Sequence, residues 1–151
     1  QYGELRQASV FARSIVAERE KGPIKTTEQL KQILRKHMPE RIENKLLAQV
    51  YQAIRIEVNQ ELEALKEFLL QTPELLDVGG RLSLISYHSL EDRLVKRFIR
   101  DGMFEGQPEK DVFGNIEVPL KRIGKLIVPA QDEIKLNNRA RSAKLRIAEK
   151  I

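Results

Sequence analysis

Apolar residues recur along the first half of this chain at helical steps. Leu5, Ala8, Ala12 and Ile15, with Phe11 and Val16 beside them, are spaced by three and four, which predicts a helix over residues 4 to 19 stopped by Gly22-Pro23. Thr26-Thr27-Glu28-Gln29 has the spacing of a capping box, Thr26 at the cap and Gln29 reaching back. It opens a short helix carrying Leu30, Ile33 and Leu34, closed before Pro39. The longest periodic run is Leu47, Tyr51, Ile54, Val58, Leu62, Leu65 and Leu69. It predicts one amphipathic helix over residues 43 to 70, roughly 40 Å long. Thr72-Pro73 is expected to end it, because the residue before a proline is pushed out of the α region.

The period then changes. Gly79-Gly80 supplies a turn, and Leu82-Ser83-Leu84-Ile85 is an apolar run of strand length, expected to be largely buried. Ser86-Tyr87-His88-Ser89 crosses into a helix whose first residues, Ser89-Leu90-Glu91-Asp92, suit an N-terminus capped by Ser89. Leu90, Leu94, Val95, Phe98 and Ile99 fall on one face of that helix, and Arg93, Lys96, Arg97 and Arg100 line the other. Residues 102 to 114 read as a loop, Asn115 to Leu120 and Leu126 to Val128 as two β segments, Asp132 to Leu136 as one helical turn, and Leu145 to Ala148 as a last strand. Helices followed by a strand–helix–strand alternation predict an α/β fold.

Composition narrows the setting. With 151 residues, 41% of them hydrophobic, the chain has enough apolar material for one domain or two small ones. No cysteine is present, which excludes disulfides and Cys-based zinc sites and makes the cytoplasm the expected compartment. No apolar run reaches the length of a membrane span, and the N-terminus has no signal-peptide pattern. The chain opens on Gln1 without an initiator Met, as expected of a piece of a longer protein. Residues 1 to 78 balance 12 Lys and Arg against 12 Asp and Glu; residues 79 to 151 carry 15 against 10, hence all of the +5 net charge. A basic C-terminal stretch points to a polyanion such as RNA.

Three groups of residues are candidates for chemistry. Ser86, Tyr87 and His88 stand at the end of a strand, where α/β sheets place ligands, and an aromatic beside polar groups suits a base held outside its stack. The plainer alternative puts Tyr87 in the core and gives His88 a structural hydrogen bond. Arg55 and Asn59 are four apart on one helix face, expected to point at a cleft between the helical and the sheet-bearing parts of the chain, with a salt bridge from Arg55 to Glu63 or another acid as the alternative. Arg139, Arg141, Lys144 and Arg146 suit RNA phosphates, contacts that hold a nucleic acid without reading its sequence; ordinary solvated charge is the alternative. His88 with Glu91 and Asp92 lacks the ligand spacing of a catalytic metal site, so none is expected. The eight glycines contain no G-x-G-x-x-G, so no phosphate cradle is expected either.

Taken together, Gln52-Ala53-Ile54-Arg55-Ile56-Glu57-Val58-Asn59, then Gly79-Gly80-Arg81-Leu82 through Ser86-Tyr87-His88-Ser89-Leu90-Glu91-Asp92-Arg93, then Asn138-Arg139-Ala140-Arg141-Ser142-Ala143-Lys144-Leu145-Arg146, carry a resemblance. The chain resembles the C-terminal half of the RsmH (MraW) family of ribosomal RNA methyltransferases. Tyr2-Gly3-Glu4 and Thr26-Thr27 extend the likeness along the whole chain.

The resemblance implies methylation of the exocyclic amine of a cytidine in the decoding region of small-subunit rRNA, with S-adenosylmethionine as donor. It implies a Rossmann-like domain interrupted by a helical insert that binds substrate, residues 1–48 falling in the insert and 49–151 in the C-terminal half of the catalytic domain. It also implies that the glycine-rich cofactor motif lies upstream of Gln1, so the cofactor should bind this chain weakly or not at all. A sheet lacking its first strands would expose an unpaired edge, an opening for a homodimer. Transfer of a methyl group to an amine requires positioning and no nucleophilic side chain. The contrasting reading from the residues alone is a non-catalytic RNA-binding or assembly module.

Overall fold

The computed structural model describes residues 5–151. The Tyr2-Gly3-Glu4 match and the expected helix start at Glu4 lie outside the described residues. The chain divides into two compact units, one running up to Glu61 and one comprising Leu62–Ile151.

The first unit is helical: α1 (Ala8–Lys21), α2 (Thr27–Arg35), a 3-10 turn (Glu40–Ile42) and α3 (Glu43–Asn59). The capping box forms as its spacing dictates, with the Gln29 N–H donating to Thr26 Oγ1 at 3.2 Å and the Thr26 N–H to Gln29 Oε1 at 3.1 Å. Phe11, Leu34, Met38, Leu47 and Val50 form the core of this unit.

The expected long helix is broken. α3 stops at Asn59, Gln60 takes a left-handed backbone (φ 53, ψ 38), and α4 (Glu61–Leu75) begins immediately after it. The Gln60 amide closes α3 by donating to the Ile56 and Glu57 carbonyls, and its side-chain amide donates to Glu57 O at 2.6 Å. The apolar stripe breaks with the helix: Ile54 and Val58 are exposed, while Val50 and Ile56 are buried. Thr72-Pro73 does not end the second piece. Pro73 lacks the N–H that would bond to the Leu69 carbonyl, and the buried Thr72 hydroxyl donates to that carbonyl at 2.7 Å instead, so the helix continues to Leu75.

The second unit is built on three strands, β1 (Arg81–Ser86), β2 (Leu120–Ile127) and β3 (Lys144–Lys150), in spatial order β1-β3-β2 with β3 antiparallel to both neighbours. β1 and β2 therefore run in the same direction, and the connection between them passes through α5 (Ser89–Asp101). β2 replaces the two separate segments expected: Asn115–Val118 are loop with a single bridge at Ile116, and the strand runs through the charged residues Lys121, Arg122 and Lys125. Between Ile123 and Ile127 the register shifts, where Gly124 at φ 67 supplies a conformation few other residues accept. The short pieces α6 (Gln131–Leu136) and a 3-10 turn (Asn138–Ser142) lead into β3.

Leu69, Leu82, Val95, Phe98, Ile99, Leu120 and Ala148 make the core of this unit, so α4 and α5 cover one face of the sheet. The other face is open among the described residues. β1 is accordingly buried on one side only: Leu82 and Ser86 are buried while Ile85 is exposed, next to Leu145 and across from Ile127. The outer edge of β1 pairs with no strand among the described residues.

Candidate RNA-facing site

Because β1 and β2 point the same way, their C-terminal ends and the start of β3 lie at one edge of the sheet. Ser86 pairs with Lys144 and Ile127 with Leu145, and the 3-10 turn bearing Arg139 and Arg141 immediately precedes β3. The sheet thus gathers Ser86, Tyr87, His88, Lys144 and Arg146 with Arg139 and Arg141, residues 50 and more positions apart in sequence. Arg55 and Asn59 belong to the first unit and are brought together with each other.

Within this edge each side chain has a distinct environment. Ser86 is buried beneath the sheet end, whereas Tyr87 is 55% exposed, which removes the reading of Tyr87 as a core residue. His88, and not Ser89, is the N-cap of α5, a correction to the expected cap. Its Nδ1 accepts from the Glu91 N–H at 3.4 Å, and the Glu91 carboxylate accepts in return from the Tyr87 and His88 N–H groups at 2.9 and 3.4 Å. The signal was in the sequence, since His88-x-x-Glu91 has the capping-box spacing with histidine in the cap position. With Nδ1 accepting, the proton of the neutral ring sits on Nε2, which stands 3.1 Å from Glu91 Oε1 without the alignment of a hydrogen bond.

Asp92 is the residue that sequence reasoning missed. Its place in the first turn, favourable to the helix dipole, and its grouping with His88 and Glu91 could be read, but not its partners. It is buried, accepts from Arg146 Nε at 2.8 Å and Nη2 at 3.2 Å, and accepts from Lys144 Nζ at 3.3 Å. Burial pushes the Asp92 carboxyl up, but the hydrogen bonds and charges of Arg146 and Lys144 together outweigh it and hold the carboxyl below the usual carboxylate range. Lys144 and Arg146 do share a face, as alternation requires; Arg146 is largely enclosed and Lys144 half-exposed. Arg139 and Arg141 flank the buried Ala140 and are themselves exposed, and the turn that presents them is capped by Asn137 Oδ1, which accepts from the Arg139 N–H at 3.1 Å.

Arg55 and Asn59 converge on one carboxylate. Arg55 Nε and Nη2 donate to the two oxygens of Glu61 at 2.7 and 3.1 Å, and Asn59 Nδ2 donates to Oε1 at 3.1 Å. The salt-bridge alternative, to Glu63 or another acid, holds for Arg55, and the acid is Glu61, just beyond the helix break.

A family model described as the MraW methylase family matches residues 1–151. The chain belongs to the MraW methylase family. It is 68% identical over 150 residues to the ribosomal RNA small subunit methyltransferase H of Flavobacterium johnsoniae, covering 99% of this chain and 50% of that protein. The proteins of the same name from Cytophaga hutchinsonii and Bacteroides fragilis are 54% and 49% identical, over 99% of this chain and 50% and 49% of theirs. The chain spans about half the length of the curated relatives it matches. For a methylase family the implied cofactor is a methyl donor, and the described residues do not form its cradle: no glycine lies in the crossing from β1 to α5, where Tyr87 and His88 stand. No helix of the described residues is long and apolar enough to cross a membrane.

Proposed function

We propose that this chain is the substrate-side part of an S-adenosylmethionine-dependent rRNA methyltransferase that methylates the exocyclic amine of a cytidine in the decoding region of small-subunit rRNA, in the cytoplasm. In this reading residues 1–48 belong to a helical insert and residues 49–151 to the C-terminal half of a Rossmann-like domain. Two parallel strands joined through α5, with β3 inserted between them, support that assignment.

The observation that carries the reading is the exposed Tyr87 ring, standing between buried Ser86 and the helix-capping His88 at the strand end, in a chain of this family. Tyr87 offers a face on which a flipped cytosine stacks, while Ser86 and His88, both turned inward, hold the strand end and the start of α5 that position it. Arg139 and Arg141 neutralise flanking phosphates. Lys144 and Arg146, tied to Asp92, hold the start of β3 in place and leave part of the Lys144 charge facing outward. Arg55 and Asn59, with their donors on Glu61, form a polar cluster of the helical unit, and in this reading it is the cluster as a whole that meets the substrate. The methyl group comes from S-adenosylmethionine in this reading; the Gly79-Gly80 turn precedes β1 and opens no helix.

The test is methyl transfer by the intact protein to isolated small ribosomal subunits with radiolabelled S-adenosylmethionine. Label should enter one cytidine of the RNA, and Tyr87→Ala should reduce incorporation at least tenfold. No incorporation into RNA by the wild type would refute the reading.

A further inference from the structure

The basic outer face of α5 has no part in the site above. The C-terminal half of α5 and the beginning of β2 enclose a cleft of about 270 Å³ whose floor is Ile99, Val118 and Leu120. Its rim carries Lys96 and Arg122, with Arg100 and Arg146 beside them and Lys121 at the strand edge, and no carboxylate lines it. Arg100 and Arg146 are engaged by Asp101 and Asp92, whereas Lys96, Lys121 and Arg122 make no salt bridge among the described residues. Leu120 pairs with Lys150 while Ser86 pairs with Lys144, so the cleft opens toward the end of the sheet opposite Tyr87, its far wall roughly 20 Å from Ser86 along β3 and its near wall at Arg146, two residues from Lys144.

Charge on an edge strand can serve simply to discourage strand addition. That explains Lys125 but not Lys96, which comes from a helix, nor Arg122, which pairs with buried Ala148 and so shares the helix-covered face. Lys96 and Arg122, two cations without a salt bridge beside an apolar floor, suit an amphipathic polyanion, phosphates on the rim and a ribose or base on the floor; Lys121, on the strand's other face opposite Glu149, adds charge only at the edge. We propose that this cleft is a second RNA subsite, which holds a nucleotide and its flanking phosphates remote from the methylated base. The assignment rests on the proposed rRNA substrate and adds to it a docking point outside the reaction centre.

The test compares the intact wild-type protein with the K96A/K121A/R122A triple variant and the K125A control, each checked for an unchanged melting curve. Fluorescence anisotropy with a labelled single-stranded oligonucleotide of small-subunit rRNA sequence should show affinity reduced about tenfold or more in the triple variant. The log–log salt slope should become shallower by about 2, and K125A should stay close to wild type. Equal affinity and slope in the triple variant would overturn the proposal, as would an equal loss of binding to labelled polyglutamate, which would mark a general acid-binding surface. Methyl transfer measured in parallel separates the two readings. A wild type that methylates, with a triple variant that binds normally, refutes the cleft alone. A wild type that does not methylate refutes the proposed function, and the salt slope still decides the cleft.

Discussion

Arg146 closes a two-pronged salt bridge on Asp92, across 54 positions of sequence, and the pair ties the first turn of α5 to the central strand of the sheet. Both side chains are about nine-tenths enclosed, and Lys144 adds a third contact from nearer the surface. Removing the acid leaves Arg146 enclosed without a partner. Asp92→Asn is expected to cost roughly 2–4 kcal/mol, somewhat less than loss of a fully buried partner because Lys144 is partly solvated. Urea denaturation of the two proteins at neutral pH measures it, and a cost below about 0.5 kcal/mol would mean that the pair does not anchor the site.

The same pair sets a pH dependence. The folded-state pKa of Asp92 lies below its ordinary 3.8, so its stabilisation is complete above that value and is lost as pH falls through the folded-state pKa. Stability measured from pH 6 downward should therefore fall more gently in Asp92→Asn than in the wild type, with the difference confined to the acid limb. Parallel curves would contradict the assignment.

Thr72 makes a cleanly separable prediction. Its hydroxyl satisfies the Leu69 carbonyl that Pro73 cannot serve. Thr72→Val keeps the shape and leaves a buried acceptor without a donor, at a cost of about 1–3 kcal/mol, while Thr72→Ser keeps the hydrogen bond and loses only methyl packing. Thermal unfolding should rank wild type above Ser above Val; a Val variant as stable as the wild type would show that the hydroxyl is dispensable.

His88 serves as a helix cap, and in the proposed function the start of α5 that it holds positions Tyr87. Asparagine is a good cap, so His88→Asn should hold stability within about 0.5 kcal/mol while His88→Ala loses about 1 kcal/mol. Methyl transfer should fall in His88→Ala and stay close to wild type in His88→Asn. Loss of activity in His88→Asn at unchanged stability would contradict a purely positioning role.

These residues also mark how far the sequence could be read. The Thr26–Gln29 capping box, the β1 turn and strand, and the last strand were legible because each is specified by neighbours a few positions away. The break at Gln60 was not, since glutamine carries no breaker signal and the apolar spacing of Ile54 and Val58 continues through it although both side chains are exposed. β2 was obscured by Lys121, Arg122 and Lys125, tolerable on an edge strand but foreign to an apolar run. At the site, Tyr87, His88 and the basic residues could be nominated from their chemistry. The carboxylates that hold some of them, Asp92 for Arg146 and Glu61 for Arg55, depend on a fold and a helix break that no local pattern announces.

The most direct test of the proposed function is nucleoside mass spectrometry of small-subunit rRNA from cells deleted for the gene and complemented with the intact wild-type or Tyr87→Ala protein. The predicted result is loss of one methyl group from the amine of a decoding-region cytidine on deletion, its return with the wild type, and little or no return with Tyr87→Ala. An rRNA methylation pattern unchanged by the deletion would contradict it.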